Sequence, residues 1–348
     1  MLGGAENMSL RFANVLQSRV DTRSLSFRVA AGHEEWTGHE NGPGATVFHS
    51  WRWLSWVAPL LDCRFVPLLV ERNGEPVGIA PMLLRRRAAW YTANLVPFPF
   101  LGPVVPADLL AETLSMLQGW TRRHRVGSIE LAVHPEALAP GLPLPQTLWP
   151  ARLEPTYVID LAGKSLDQVF ASFHGDARSA VRRSLKRGVT VRTATAEEIR
   201  TLLPAVYEQS LDAHKPYVHQ LADSLARGEQ PFPVRCATAL VDGRPVGLSI
   251  AVRGANAMGW LGGVFREDQH TQANAALVWD AIQWAHGEGC AWLDMGGAPD
   301  PGIAAYKRKF RPRVEEHLLV TWQSPTFTGL QRLRTTAGRA ARLARSMR

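Results

Sequence analysis

The chain has 348 residues, 46% of them hydrophobic and 20% charged, and a formal net charge of +8. That length and composition predict two globular domains, and no apolar run approaches the roughly 18 residues a membrane-spanning helix needs. The excess of cations points to an anionic partner, and the scattered Cys63, Cys236 and Cys290 exclude a disulfide framework or a metal-binding set.

The first 24 residues lack the basic start and apolar block of a secretion signal, so a cytoplasmic location is expected. They read as an extension ahead of a first domain over 25–150. "HEEWTGHE" from His33 has a superficial metal spacing, but its loop-like composition argues against a metal site. "FVPLLVE" (Phe65 to Glu71), Asn73-Gly74 and "GIAPMLL" predict a β-hairpin, because Asn-Gly between apolar runs favours a tight turn. "LLAETLSMLQGWTRRHRVGSIELAV" then reads as a helix, a glycine stop and a strand.

A Pro-rich stretch near residues 140–156 marks the join to a second domain over 151–325. "TYVIDL" predicts a strand ending near Asp160. One helix is expected from a Ser165 cap to about Arg187, and another from Thr195. "RCATALV", Asp242-Gly243 and "GLSIAV" repeat the earlier hairpin, down to the same Pro-Val-Gly. "NAALVWDAIQWAHGEGCAWLDMGG" repeats the helix, glycine stop and strand, with Trp284 in the place of Trp120. Ala276, Leu277, Ala281, Trp284 and Ala285 form its core-facing stripe. Two matched modules imply a duplicated α/β unit. Residues 326–348 form a basic tail.

"TYVIDL", "ARSAVRRSLKRGVTV", "LVDGRPVGLSIAV" and "LDMGGAPDPGIAAYKRKF", in that order, resemble Fem-type peptidyltransferases and the related acetyltransferase-like cellulose-biosynthesis proteins of the GNAT superfamily. "FHSWRWLSWV" is similar to the family's opening aromatic helix. The resemblance is strongest from Tyr157 to Phe310, and its most specific piece is Asp294-Met-Gly-Gly followed by Tyr306-Lys307-x-x-Phe310. It implies an α/β (α+β) fold of tandem GNAT-like domains, each a mixed, mostly antiparallel twisted sheet flanked by helices. It also implies amide formation, with aminoacyl-tRNA as donor in Fem members and acyl-CoA in other GNAT members.

The residues bear on the donor. An acyl-CoA enzyme of this fold holds the pyrophosphate on a glycine-rich turn opening a helix. The equivalent turns here are "REDQHTQANAAL" from Arg266, with Glu267 and Asp268 and no glycine, and "GPVVPADLLAE", with two prolines. Aminoacyl-tRNA is therefore the expected donor co-substrate, with no other cofactor, and acyl-CoA acting on an amino sugar or polysaccharide is the alternative. Arg178, Arg182 and Arg183, with Arg308, Lys309 and Arg311, are candidate tRNA or anion contacts. The basic tail could bind tRNA or lie on a membrane surface.

Lys307 is the first catalytic candidate: in the resembled family the matching Lys is thought to contact the donor or stabilise transition-state charge. The bland reading is a surface lysine. Asp294 is the second, as an acceptor of the amine proton or an orienter of Lys307; the alternative is a carboxylate binding backbone N–H groups of its own loop. Tyr306, His214, Lys215 and Trp260 are candidate substrate contacts. The acceptor would be an amine of a cell-wall precursor or a metabolite. No nucleophile–base set can be assembled, so covalent catalysis is not expected.

Overall fold

The computed structural model describes residues 25–138, 149–211, 217–298 and 300–329. Twelve strands are described: β1 (Leu25–Val29), β2 (Arg64–Arg72), β3 (Glu75–Arg87), β4 (Trp90–Ala93), β5 (Val126–Val133), β6 (Ala151–Asp160), β7 (Val189–Thr193), β8 (Val234–Val241), β9 (Arg244–Arg253), β10 (Ala257–Val264), β11 (Trp292–Gly297) and β12 (Arg313–Gln323). The helices are α1 (His33–Thr37), α2 (Trp51–Leu60), α3 (Leu110–Arg123), α4 (Leu166–Ser172), α5 (Gly175–Lys186), α6 (Ala196–Leu211), α7 (Tyr217–Ala226), α8 (Ala273–Gly287) and α9 (Pro301–Arg308).

All twelve strands form one sheet, in the order β1-β2-β3-β4-β5-β12-β6-β11-β10-β9-β8-β7. That order reads the same from both ends in structural terms. Each half opens with an edge strand, then a hairpin, then a strand running parallel to the one after the long helix: β4 with β5 across α3, β10 with β11 across α8. The sixth strands are exchanged. β6 follows β5 in sequence but pairs with β11, and β12 follows β11 but pairs with β5. β6 and β12 then pair with each other and make the seam.

The sequence repeat has a precise structural counterpart. Asn73 and Gly74 have φ of 57° and 84°, and Asp242 and Gly243 have 51° and 78°, so both turns need two left-handed residues. Both hairpins carry the same bulge, since Val70 pairs Gly78 while Glu71 pairs Pro76, and Ala239 pairs Gly247 while Leu240 pairs Pro245. Val77 and Val246 are the extra residues. The proline suits a bulge because it has no N–H to offer the ladder.

One expected element differs. The helix from Ser165 to Arg187 is two helices, α4 and α5, broken at Phe173. Phe173 is extended (ψ 154°) and His174 caps α5 by accepting the N–H of Asp176. Burial of Phe173 against Trp279 and Phe310 outweighs helical continuity. Arg178 donates to the carbonyls of Ala171 and Phe173, which satisfies the exposed end of α4.

One hydrophobic core joins the halves: Phe48, Trp53 and Leu54 around α2 pack with Leu203, Val218 and Leu221 of α6 and α7. On the other face α3 covers the first half, with Leu114 and Leu117, and α5 and α8 cover the second, with Val181 and Ile282.

Candidate active site

β10 and β11 pair only through Ala257–Leu293 and Met258–Asp294, and then part. β10 continues along β9 as far as Val264, with a bulge at Trp260. The gap opens into a cavity of about 710 Å³, walled by β9, β10, β11, α8 and α9. The peptide edge of β10 that faces the gap has no strand partner beyond Met258 among the described residues. Backbone N–H groups on such an edge are ready donors for a ligand carbonyl or a developing oxyanion.

The equivalent gap in the first half is filled by its own chain. The Asn94 side chain accepts the N–H of Leu83 at 2.7 Å and donates to the carbonyls of Pro81 (2.9 Å) and Leu101 (3.1 Å). Val104 bridges to Ile79. A Cβ on Gly102 would sit 2.8 Å from the Ala132 carbonyl, so the segment lies flat on β5. The cavity therefore belongs to the second half.

Asp294 is fully buried. Its Oδ1 accepts from the Thr156 hydroxyl at 2.6 Å and from the Gly296 N–H at 2.6 Å. Its Oδ2 has no partner. Burial pushes the Asp294 carboxyl up, against the hydrogen bonds from Thr156 and Gly296 and the nearby Lys307 charge. Gly296 has φ 75°, a left-handed conformation that turns the chain from β11 towards α9.

Lys307 comes back over that turn. Its ammonium donates to the carbonyls of Met295 (2.5 Å), Gly296 (3.0 Å) and Gly297 (2.7 Å), so all three protons are used. The Tyr157 ring lies 5.8 Å from Nζ. Burial pulls the Lys307 ammonium down to about 8, against the attraction of Asp294. The two candidates are thus brought to one turn, Asp294 holding its N–H and Lys307 its carbonyls. Lys307 lines the cavity; Asp294 lies behind the wall.

Tyr306 also lines the cavity, and its buried hydroxyl has no partner. Desolvation raises its pKa, so the phenol stays protonated and can donate. Trp260 lines the cavity as well and donates its indole N–H to the Pro97 carbonyl at 2.6 Å, tying the gap to the first half. His214 and Lys215 lie outside the described residues, as does the tail from 330 onward.

The cationic candidates lie on α5 and at the end of α9, which meet at one end. Phe173 meets Phe310 at 5.3 Å and the His174 N–H donates to the Lys309 carbonyl, which sets the start of α5 against the end of α9. Arg182 stacks over Phe170, and Arg183 donates to the Ser179 carbonyl on its own helix. Arg182, Arg183, Arg308, Lys309 and Arg311 are exposed, and Lys309 stands 3.8 Å from the Asp176 carboxylate. Arg178 is committed to the two carbonyls of the α4 break.

Sequence reasoning missed Thr156, Asn94 and Arg244. Arg244 forms a bidentate pair with the buried Asp268, at 2.5 and 3.0 Å, just ahead of α8. The carboxylate read in sequence as repelling a pyrophosphate is therefore neutralised. Its partner is 24 residues away, so spacing gave no sign of it.

Residues 171–308 match a family model described as an acetyltransferase (GNAT) domain. No curated protein matches the chain. Among solved structures, FemX superposes with a TM-score of 0.58 at 15% identity, over 84% of this chain and 96% of that one. A tandem GNAT protein from the clavulanic acid biosynthesis pathway gives 0.53 at 14% identity, over 86% and 98%. An acetyltransferase of the GNAT family from Colwellia psychrerythraea gives 0.51 at 9% identity, over 86% and 99%. At such identities the likeness is one of fold. Residues 171–308 are thus similar to a GNAT acetyltransferase domain, and the described fold is that of tandem GNAT-like structures.

Proposed function

We propose that this protein is an N-acyltransferase that forms an amide from an amine acceptor and an aminoacyl ester carried on tRNA. The observation that carries the reading is the open gap between β10 and β11, where unpaired backbone, Tyr306 and Lys307 meet in one cavity. An activated ester needs positioning more than covalent help. In this reading backbone N–H groups of β10 hold the reacting carbonyl, and the amine attacks its carbon. The C–O bond to the ribose breaks, the Tyr306 phenol gives its proton to the leaving oxygen, and the proton shed by the amine passes to solvent, which also reprotonates Tyr306. Asp294 and Lys307 keep the Met295–Gly297 turn in register, and Lys307 adds positive potential at the cavity wall. Trp260, with His214 and Lys215, contacts substrate. Arg182, Arg183, Arg308, Lys309 and Arg311 offer the phosphate-binding surface. The acceptor is a cell-wall precursor or a metabolite amine. The two working units are 25–150 and 151–325, and no cofactor besides the donor is required.

A second reading, acyl-CoA as donor, is favoured by one observation: the Arg244–Asp268 pair removes a repulsive charge from the entrance to α8. The test offers labelled aminoacyl-tRNA and labelled acetyl-CoA separately, each with a small-molecule cell extract. RNase-sensitive transfer supports the tRNA reading. Transfer from acetyl-CoA that ignores RNase overturns it.

A further inference from the structure

One corner is built differently in the two halves: the end of the long helix and the hairpin beside it. In the second half Arg253, at the end of β9, pairs with Glu288 just past α8 at 2.7 Å. Gly289 follows with a left-handed φ of 73°. Counted from Trp120 and Trp284, His124 stands in the place of Glu288 and Arg125 in that of Gly289. Arg125 keeps the left-handed conformation, with φ 54°. Glycine adopts it freely where a helix ends, and a residue with a side chain adopts it at a cost. The first half thus carries a histidine and a strained arginine where the second carries a carboxylate and a glycine.

More arginines gather at the same corner. Residues 84–93 and 120–129 hold six arginines and no aspartate or glutamate. One of them, Arg85, is spent on the Leu61 carbonyl. Arg86, Arg87, Arg122, Arg123 and Arg125 are exposed, and so is Arg64. They surround Trp90 and Tyr91. Arg87 pairs Trp90 and Arg86 pairs Tyr91 across the β3–β4 hairpin. The Arg64 guanidinium lies 5.8 Å from the centre of the Tyr91 ring. The Tyr91 N–H donates to the Arg125 carbonyl at 2.9 Å, and Arg122 and Arg123 make the last turn of α3. Among the described residues none of these exposed arginines has a carboxylate partner, unlike Arg28, Arg192, Arg235, Arg244 and Arg253. Phe327 packs on Trp90 and Gly127 here, and beyond the described residues the sequence adds six arginines and no acid over 330–348. Like charges left without counter-charges repel one another, and a polyanion relieves that repulsion.

We propose that this corner binds the ribose-phosphate backbone of an RNA, at the body of the donor tRNA rather than its aminoacylated end. None of these arginines lines the cavity. The planar guanidinium pairs with a phosphate through two hydrogen bonds. Cations spread over β2, the β3–β4 hairpin and α3 match a run of phosphates better than a single anion. A bilayer fits less well, because none of the exposed large apolar side chains falls in these segments. That the RNA is the donor tRNA rests on the acyl-transfer reading above. That the partner is a polyphosphate rests on the arginines alone.

The test measures binding of deacylated tRNA to the full-length protein by fluorescence anisotropy across a salt series. In R86Q/R87Q/R122Q/R123Q the affinity at about 0.1 M salt should fall about 30-fold or more, and the slope of log affinity against log salt should shrink by about 3. H124E/R125G gives the first half the residues of the second. It should melt no lower than wild type, since glycine suits the left-handed position, and bind tRNA about tenfold more weakly. Lys164→Glu, just ahead of α4, shifts the net charge by the same amount and should change the affinity less than about twofold, because salt screens charges that make no contact. Unchanged affinity in both corner variants, or an equal loss in Lys164→Glu, would overturn the proposal. So would corner variants that keep tRNA binding but lose binding to vesicles of phosphatidylglycerol and phosphatidylcholine, a result that assigns the corner to a membrane. A wild type that transfers only from acetyl-CoA overturns the donor reading instead, and the deacylated tRNA still decides whether the corner holds RNA.

Discussion

Gly78 and Gly247 occupy the same position in the two hairpins, and each lies against the backbone of a third strand or segment. A Cβ on Gly78 would stand 2.3 Å from the Val104 carbonyl, and one on Gly247 2.5 Å from the Gly263 carbonyl. The repeated Pro-Val-Gly is thus one device used twice: proline and valine make the bulge, and glycine lets the next strand close in. Gly78→Ala and Gly247→Ala should each cost about 1–3 kcal/mol, because rigid backbone must move. Gly119→Ala on α3, with nothing within 4 Å, should gain up to about 1 kcal/mol. Urea unfolding of the three variants checks the contrast. Equal losses at all three positions would show that the close approach is not what fixes the glycines.

Lys307 makes a sharper prediction through pH. Its folded pKa, about 8, lies below the ordinary lysine value of 10.5. Between those values the unfolded chain binds more protons than the folded one, so stability should rise as pH rises through this window. Lys307→Met should lack that rise. At neutral pH the same variant leaves the carbonyls of Met295, Gly296 and Gly297 without their donor and should lose about 1–3 kcal/mol. Denaturant melts from pH 7 to 10 on both proteins measure the difference. A variant whose curve parallels the wild type would place the lysine's titration elsewhere.

Much of this architecture was legible in the sequence because it rests on local signals. Asn73-Gly74 and Asp242-Gly243 announce their turns, and Ala276, Leu277 and Ala285 announce a buried helix face. Asp294, Tyr306 and Lys307 could be singled out because their motif resembles that of Fem-type proteins, and they flank a glycine turn at a strand end. Strand exchange could not be read, since β6 and β12 look like any alternating strand and their partners are set by the whole sheet. The break at Phe173 was hidden for the same reason: Trp279 and Phe310, which bury that ring, are more than 100 residues away in the chain.

The buried histidines predict acid sensitivity. His49 bonds Thr46 and the Gly102 carbonyl, and His134 packs edge-on to Phe100. Desolvation lowers both to about 4 from the usual 6.5. Between those values the unfolded chain takes up protons that the folded one refuses, so stability should fall as pH drops from about 6.5 towards 4. Each histidine contributes a slope of up to about 1.4 kcal/mol per pH unit. His134→Asn keeps a cap for the Glu136 N–H and removes one titrating ring. Its stability curve should be shallower than wild type by one proton in this window. An unchanged slope would mean that His134 is charged in the folded protein.

The Arg244–Asp268 pair bears most directly on the donor. Arg244 is largely exposed while Asp268 is buried, so the arginine covers a carboxylate that sits in the turn opening α8. Removing it in Arg244→Ala uncovers a negative charge at a helix N-terminus, the place where an anionic group would otherwise be welcomed. Loss of one partner should destabilise the fold by about 1–3 kcal/mol, less than for a fully buried pair because Asp268 gains access to water. If the donor lays its pyrophosphate on α8, as an acyl-CoA would, the donor KM should rise about tenfold, and the double variant R244A/D268N should restore it. An aminoacyl-tRNA that meets the protein on the α5–α9 surface should keep its KM in all three proteins. Parallel titrations of both donors therefore assign the phosphates to one end of the cavity or the other, and Arg244→Ala separates the two readings even before the acceptor is known.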